Sequence, residues 1–255
     1  MPCANLGKRR IWAYVRPMRK LPVTIIVSIL LTLSLLGCQD ASDGPQPAQE
    51  KTPPAKAEKP EAKSGYEQDG RGCEPEFRAL FDQAVVELRG TGELDIVVVT
   101  DPLCWHCRLG HKLLSEYPEK YGRLRLSFFP RRGFIGSNMA AWILEDVAGT
   151  DRVRPYVDYA YTDLKQPKTK DLAEARMLVL AQFVEKFPEL LDNTNLEELY
   201  VRMQRDHGEH VAESARMSRQ VELPGTPTLI AGKAVLVGYG PAPWLGALDA
   251  KNICE

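Results

Sequence analysis

At 255 residues, 44% hydrophobic and 26% charged, the chain is long enough for one ordinary globular core. Its 33 lysines and arginines balance 34 aspartates and glutamates, which excludes the strongly basic surface that a nucleic-acid binder needs. Six of the basic residues (Lys8, Arg9, Arg10, Arg16, Arg19 and Lys20) precede every acidic one, so the chain beyond residue 37 keeps 27 basic and 34 acidic residues, a formal charge of −7.

Leu21 to Gly37 carries no charge. A positive leader, an apolar run and a small residue at its end make residues 1–37 read as a secretory signal peptide. Cys38, directly after Leu35-Leu36-Gly37, resembles the bacterial lipobox. The resemblance implies cleavage before Cys38, a lipid on that cysteine, and a position in the bacterial cell envelope facing the periplasm. The competing reading is an uncleaved anchor, for which the run is near the lower limit of about 17 residues. Either way the rest of the chain faces an oxidising compartment. Residues 38–71 read as a disordered tether. From Gln39 to about Gln68 they are rich in Pro, Ala, Lys, Glu and Gln and hold no aliphatic side chain larger than alanine, a composition that cannot offset its own ordering entropy.

Residues 72–255 then suffice for one domain. Phe77, Leu80, Phe81, Ala84, Val85 and Leu88 recur at helical spacing and predict a helix from Pro75 to Arg89. Ile96 to Val99 is short, continuous and β-branched, the pattern of a strand buried on both faces. A helix begins near Cys104, turns Leu109, Leu113 and Leu114 inward, and ends by Tyr121-Gly122. The alternation of Leu124, Leu126 and Phe128 predicts the next strand, and a strand–helix–strand unit of this length implies a parallel pair. From Met139 to about Met217 the pattern is helical, with helices centred on Ile143, Leu178 and Leu199 and punctuated by Pro155, Pro167 and Pro188. Thr228 to Ile230 and Ala234 to Val237 flank Ala231-Gly232-Lys233 as a hairpin, and Gly240-Pro241 opens a last helix through Trp244, Leu245 and Leu248.

Between the first predicted strand and its helix stands Cys104-Trp105-His106-Cys107. A thiol at a helix N-terminus meets unpaired N–H groups and the positive end of the dipole, which favour the thiolate. Cys104 is therefore the expected nucleophile and Cys107 the buried partner that resolves its mixed disulfides. A protonated His106 close to the sulfur stabilises the anion further. With Cys3 in the signal and Cys38 lipidated, Cys73 and Cys254 remain. Domain termini often lie together, so these two are expected to form a structural disulfide. The competing role, a resolving thiol for the active pair, needs a reach that neither terminus obviously has.

The order β-α-β, helical insertion at about 137–220, β-β-α, with CxxC at a strand–helix junction and Thr226-Pro227 before the hairpin, resembles the thioredoxin fold, an α/β class. The insertion point resembles the DsbA-like family of periplasmic disulfide oxidoreductases. The resemblance covers about Phe77 to Ala250. It implies a cis bond at Thr226-Pro227, a loop facing Cys104, and a Thr226 backbone free to pair with a substrate strand. It also implies protein thiols and disulfides as substrates, a membrane redox partner that recycles the pair, and no cofactor. Trp105 replaces the proline usual in DsbA-like tetrads, and is either a packed neighbour of the site or an apolar contact for substrate. Threonine before the proline looks more like the isomerases and reductases of the DsbC and DsbG kind. Where thioredoxin and DsbA carry a buried acid six positions before the nucleophile, this chain has Val98. Asp101 is the possible substitute, although a solvated loop position is the simpler expectation for it.

Competing chemistry is thin. Structural zinc needs four ligands, and there is no second close cysteine pair. His207 and His210 lie three apart on a predicted helix and read as a solvated face rather than as metal ligands. Nucleotide loops and serine elbows are missing from the sequence. The second functional class is a binding module, a chaperone or metal-delivery protein that keeps the fold and holds copper through its thiols; no methionine cluster flanks the tetrad to support it.

Overall fold

A computed structural model of the protein describes residues 70–250, 253 and 254. The expected signal peptide, Cys38 and the tether as far as residue 69 lie outside the described residues. No helix among the described residues is long and apolar enough to cross a membrane.

The chain enters through a single 3-10 turn at Arg71–Cys73 and continues as α1 (Pro75–Gln83), with proline at the start of the helix, where its missing N–H costs nothing. The helix expected to reach Arg89 stops at Gln83. Ala84 turns extended, and Val86–Arg89 forms β1, antiparallel to β3 (Arg123–Phe128). In this stretch Val86 and Leu88 are buried while Glu87 and Arg89 face outward, an alternation of two that overlaps the helical spacing. The tie is broken by β3, whose Arg125 binds Glu87 at 3.0 Å.

β2 (Asp95–Thr100) lies at the centre of a five-stranded sheet ordered β1-β3-β2-β4-β5, parallel to β3 and antiparallel to β4 (Thr228–Ala231). Successive side chains of β2 feed two cores. Ile96 and Val98 join Leu124, Leu126 and Trp244 on the front face; Val97 and Val99 join Phe77, Leu80 and Ile230 on the back. α2 (Trp105–Glu116) and α7 (Pro241–Asp249) pack in the front core, where Gly110 admits the Trp244 ring; a Cβ there would meet that ring at 2.6 Å. The hairpin of β4 and β5 (Ala234–Val237) turns through Gly232-Lys233.

Between β3 and β4 come α3 (Ser137–Asp146), α4 (Val153–Thr162), α5 (Leu172–Lys186) and α6 (Leu196–Gln220). One helix more than expected is present. Pro155, read as punctuation, occupies the first turn of α4, where proline is tolerated. Of the 25 residues of α6, Leu199, Met203 and Val211 lie in the front core and Ala215 in the back one.

Candidate active site

β2 ends at Thr100, and the turn Asp101–Leu103 places Cys104 at the N-cap of α2. The Cys104 N–H donates to the Asp101 carbonyl at 3.0 Å, and the Cys104 carbonyl accepts from Arg108 N–H at 3.1 Å. The peptide bond between Thr226 and Pro227 is cis, and the thiol of Cys104 donates to the Thr226 carbonyl at 3.6 Å. Residues 122 apart in sequence thereby meet across the site. Cys104 and Cys107 are both free thiols. Both sulfur-bearing residues are buried, Cys104 4% and Cys107 2% exposed, with the Thr226 carbonyl lying against the Cys104 sulfur.

The two sulfurs have opposite electrostatics. The Cys104 thiol is pulled down to about 5, chiefly by the Cys107 thiol, against the cost of burial, with further help from the Cys107, Thr226 and His106 neighbours. Burial pushes Cys107 well above the ordinary thiol value, and the Cys104 charge adds to the rise. His106 acts on Cys104 through its backbone N–H. Its side chain is exposed, so the geometry gives the larger effect to Cys107. Trp105 is 65% exposed beside the site.

Asp101 is a correction. Expected as a solvated loop residue, it is fully buried. Oδ1 accepts the Leu103 N–H at 2.9 Å; Oδ2 accepts the Arg131 N–H at 2.8 Å and the Ser137 hydroxyl at 3.1 Å. Its own N–H donates to Cys107 Sγ at 3.4 Å. Burial raises its carboxyl to about 7 despite those three donors. Sequence spacing gave no sign of Arg131, in the connection after β3, or of Ser137, the first residue of α3. Val98, the position that holds an acid in thioredoxin, packs in the front core. Arg108, next after Cys107, donates to the Leu164 carbonyl, and burial lowers its guanidinium while the Asp101 and Cys104 charges oppose that shift.

The other expected positions lie apart from this cluster. Cys73 and Cys254 form a disulfide with Cα atoms 5.5 Å apart. A cleft of about 320 Å³ beside it, lined by Phe77, Arg78, Ile230 and Cys254, contains none of the CxxC residues. His207 and His210 do not form a solvated face. His210 Nδ1 meets Glu145 at 2.8 Å and His207 Nε2 meets Asp146 at 3.2 Å, tying α6 to α3. Among the described residues, no group of three or more His, Cys, Asp or Glu side chains is placed to hold a metal ion.

The chain matches no protein-family model and no curated protein. Its fold, however, is similar to solved structures. One is the catalytic domain of ScsC from Proteus mirabilis, at TM-score 0.53 and 16% identity, covering 72% of this chain and 98% of that one. Another is a thioredoxin-like oxidoreductase from Silicibacter pomeroyi DSS-3, at TM-score 0.51 and 20% identity, covering 68% and 95%. A third is oxidised BdbD from Bacillus subtilis, at TM-score 0.50 and 16% identity, covering 68% and 94%. At these identities the likeness concerns architecture: the chain has the thioredoxin fold with a helical insertion.

Proposed function

We propose that the protein is a thiol–disulfide oxidoreductase of the bacterial periplasm, tethered to the membrane through a lipid on Cys38 and acting on cysteine pairs of secreted proteins. The observation that carries this reading is the asymmetry of the pair: Cys104 at about 5 and Cys107 well above its ordinary value, side by side at one helix start. At neutral pH Cys104 is a thiolate and Cys107 a thiol, the division of roles that exchange requires.

Cys104 forms the mixed disulfide with substrate, and Cys107 resolves it. The Thr226 backbone opposite Cys104 offers a strand-like edge to the substrate chain, and the exposed Trp105 offers an apolar contact beside it. Asp101, titrating near neutrality within the same loop, is suited to hold or release the proton that each half-reaction moves. Stabilising the Cys104 thiolate favours the reduced pair and makes its disulfide oxidising. A membrane redox partner then restores the spent form.

The test is trapping. Cys107→Ser should accumulate mixed disulfides between Cys104 and envelope proteins, while Cys104→Ser should give none. Equal trapping by both variants removes the assignment. Mass spectrometry of the membrane fraction should find the lipid on Cys38, and a soluble mature form starting elsewhere contradicts the tether.

A further inference from the structure

Asp101 is bonded through its main chain to both cysteines. Its N–H donates to Cys107 Sγ at 3.4 Å, and its carbonyl accepts the Cys104 N–H at 3.0 Å. It opens a turn that belongs to neither β2 nor α2, so neither a strand ladder nor a helix holds that amide in place. Thr100, just before it, is fixed to α4, its hydroxyl 2.9 Å from that of Tyr161. Asp101 itself is fixed by its side chain: Oδ1 takes the Leu103 N–H, and Oδ2 takes the Arg131 N–H and the Ser137 hydroxyl. Ser137 opens α3, is 1% exposed, and donates its own N–H to the Phe134 carbonyl at 3.0 Å. Gly136 before it has a φ of 89°, and a Cβ there would meet the Ala175 carbonyl oxygen at 2.9 Å. The glycine thus lets the chain turn tightly against α5 and present Ser137 to Asp101.

These three donors are not alike. Two are main-chain amides, which only donate, whereas a serine hydroxyl donates or accepts. With Asp101 ionised, all three donate to it. With Asp101 protonated, the new O–H needs an acceptor, and of the three only Ser137 Oγ can be one. Burial holds the carboxyl at about 7, so both forms are populated near neutral pH. We infer that Ser137 is a positioning residue for the second step of exchange: its hydroxyl keeps the Asp101 side chain in one place whether charged or protonated, and thereby keeps the Asp101 N–H aimed at the resolving sulfur of Cys107. The charged and titratable groups facing Asp101 are Cys104, Cys107 and Arg108 of α2 and Tyr161 of α4. Ser137 is the uncharged side chain that bonds its carboxyl from α3. The inference rests on the oxidoreductase reading and deepens it, because it ties the helical insertion to the resolving step. In that step the Cys107 thiol loses its proton and its sulfur attacks Cys104 Sγ. The Cys104–Cys107 bond forms as the bond from Cys104 to the substrate sulfur breaks. The substrate sulfur leaves with the electron pair as a thiolate, and the proton finally rests on it. The enzyme pair is oxidised and the disulfide reduced. The bond from the Asp101 N–H strengthens as charge grows on Cys107. In the reverse direction Cys107 is the leaving group, and the same amide receives it.

The full-length reduced protein mixed with the aromatic disulfide DTNB separates the two steps. Attack by Cys104 releases the first thionitrobenzoate, and attack by Cys107 on the mixed disulfide releases the second. Losing a hydrogen bond to a charged sulfur raises its pKa by about one unit. Weighed against the gain in intrinsic nucleophilicity, that slows attack about threefold. Ser137→Ala leaves the carboxylate its two amides but leaves the protonated acid no acceptor. It should therefore slow the second phase about threefold well below pH 7 and leave the first phase in place, and the deficit should fade as pH rises through about 7 and Asp101 ionises. Ser137→Thr, which keeps the hydroxyl, should hold the wild-type rate across the same range. A second measurement needs no rescue variant. The infrared carbonyl stretch of protonated Asp101, identified by its loss in Asp101→Asn, should move to higher frequency in Ser137→Ala as its O–H loses an acceptor. A second phase unchanged at low pH, or an unmoved carbonyl stretch, overturns the assignment. So does a slowing that is equal at every pH or in both phases, which marks a merely structural role. A wild-type protein with no second phase overturns the oxidoreductase reading itself.

Discussion

Replacing Cys73 and Cys254 together by serine tests the largest covalent contribution to the fold. The bond joins residues separated by 181 positions. On the chain-entropy model a closed loop of that length removes about 18 cal/mol/K from the unfolded ensemble, about 5 kcal/mol at 25 °C. For a domain of this size each kcal/mol moves the melting temperature by roughly 2–4 °C. The double variant should therefore melt roughly 10–20 °C below the oxidised wild type. The assay is thermal unfolding followed by circular dichroism, with the Cys104–Cys107 pair kept reduced in both proteins by a mild dithiol that spares the other bond. The DTNB phases of the variant should match those of wild type at 25 °C, since the disulfide lies apart from the CxxC residues. A melting temperature within about 3 °C of wild type would refute the reasoning, because it would mean that tying the two ends together contributes almost nothing. A changed second DTNB phase would show that one of these cysteines exchanges with the active pair.

Removing the Cys107 thiol with Cys107→Ala takes away the largest influence on Cys104, so its pKa should climb from about 5 towards the ordinary thiol range, read as thiolate absorbance at 240 nm against pH; a neutral substitution of His106 should shift it less. The sign for stability follows: a thiol depressed in the fold stabilises the reduced protein fully above the unfolded value near 9, and that contribution is lost as pH falls through about 5. The melting temperature of the reduced protein relative to the oxidised one should therefore rise across that window, and a flat difference contradicts the depressed thiol. Gly110→Ala should cost about 1–3 kcal/mol by overpacking, visible as a lower denaturant midpoint, because the Trp244 ring it would strike is anchored by its Nε1–H to the Gly238 carbonyl at 2.9 Å.

Local pattern was the part of this molecule legible in its sequence. The β-branched run of β2, the helix after Cys104 and the hairpin before α7 each declare themselves within a dozen residues. What escaped is non-local. Val86 to Arg89 fits two periodicities, and only β3 decides between them. Asp101 resembles any loop aspartate until Arg131 and Ser137, some thirty residues on, close over it. Tyr161 lies in a helix hidden behind Pro155, and nothing in its neighbourhood points to Thr100. His207 and His210 read as solvated because the carboxylates they meet belong to another helix. Charged and polar partners cost little sequence signal and much structural placement, so the site's electrostatics were the least legible part.

The course of α6 limits how the domain can move. A helix of 25 residues spans about 37 Å, and this one passes unbroken from the front core, at Leu199 and Met203, to the back core at Ala215. Its α3 seam is closed by two imidazole–carboxylate contacts. An enzyme whose helical cap hung on two loose linkers would open like a clamshell. Here the cap shares a continuous rod with the sheet, so opening would require breaking that rod or emptying two cores at once. Any adjustment around Cys104 therefore falls to the loops beside it rather than to a hinge between cap and sheet.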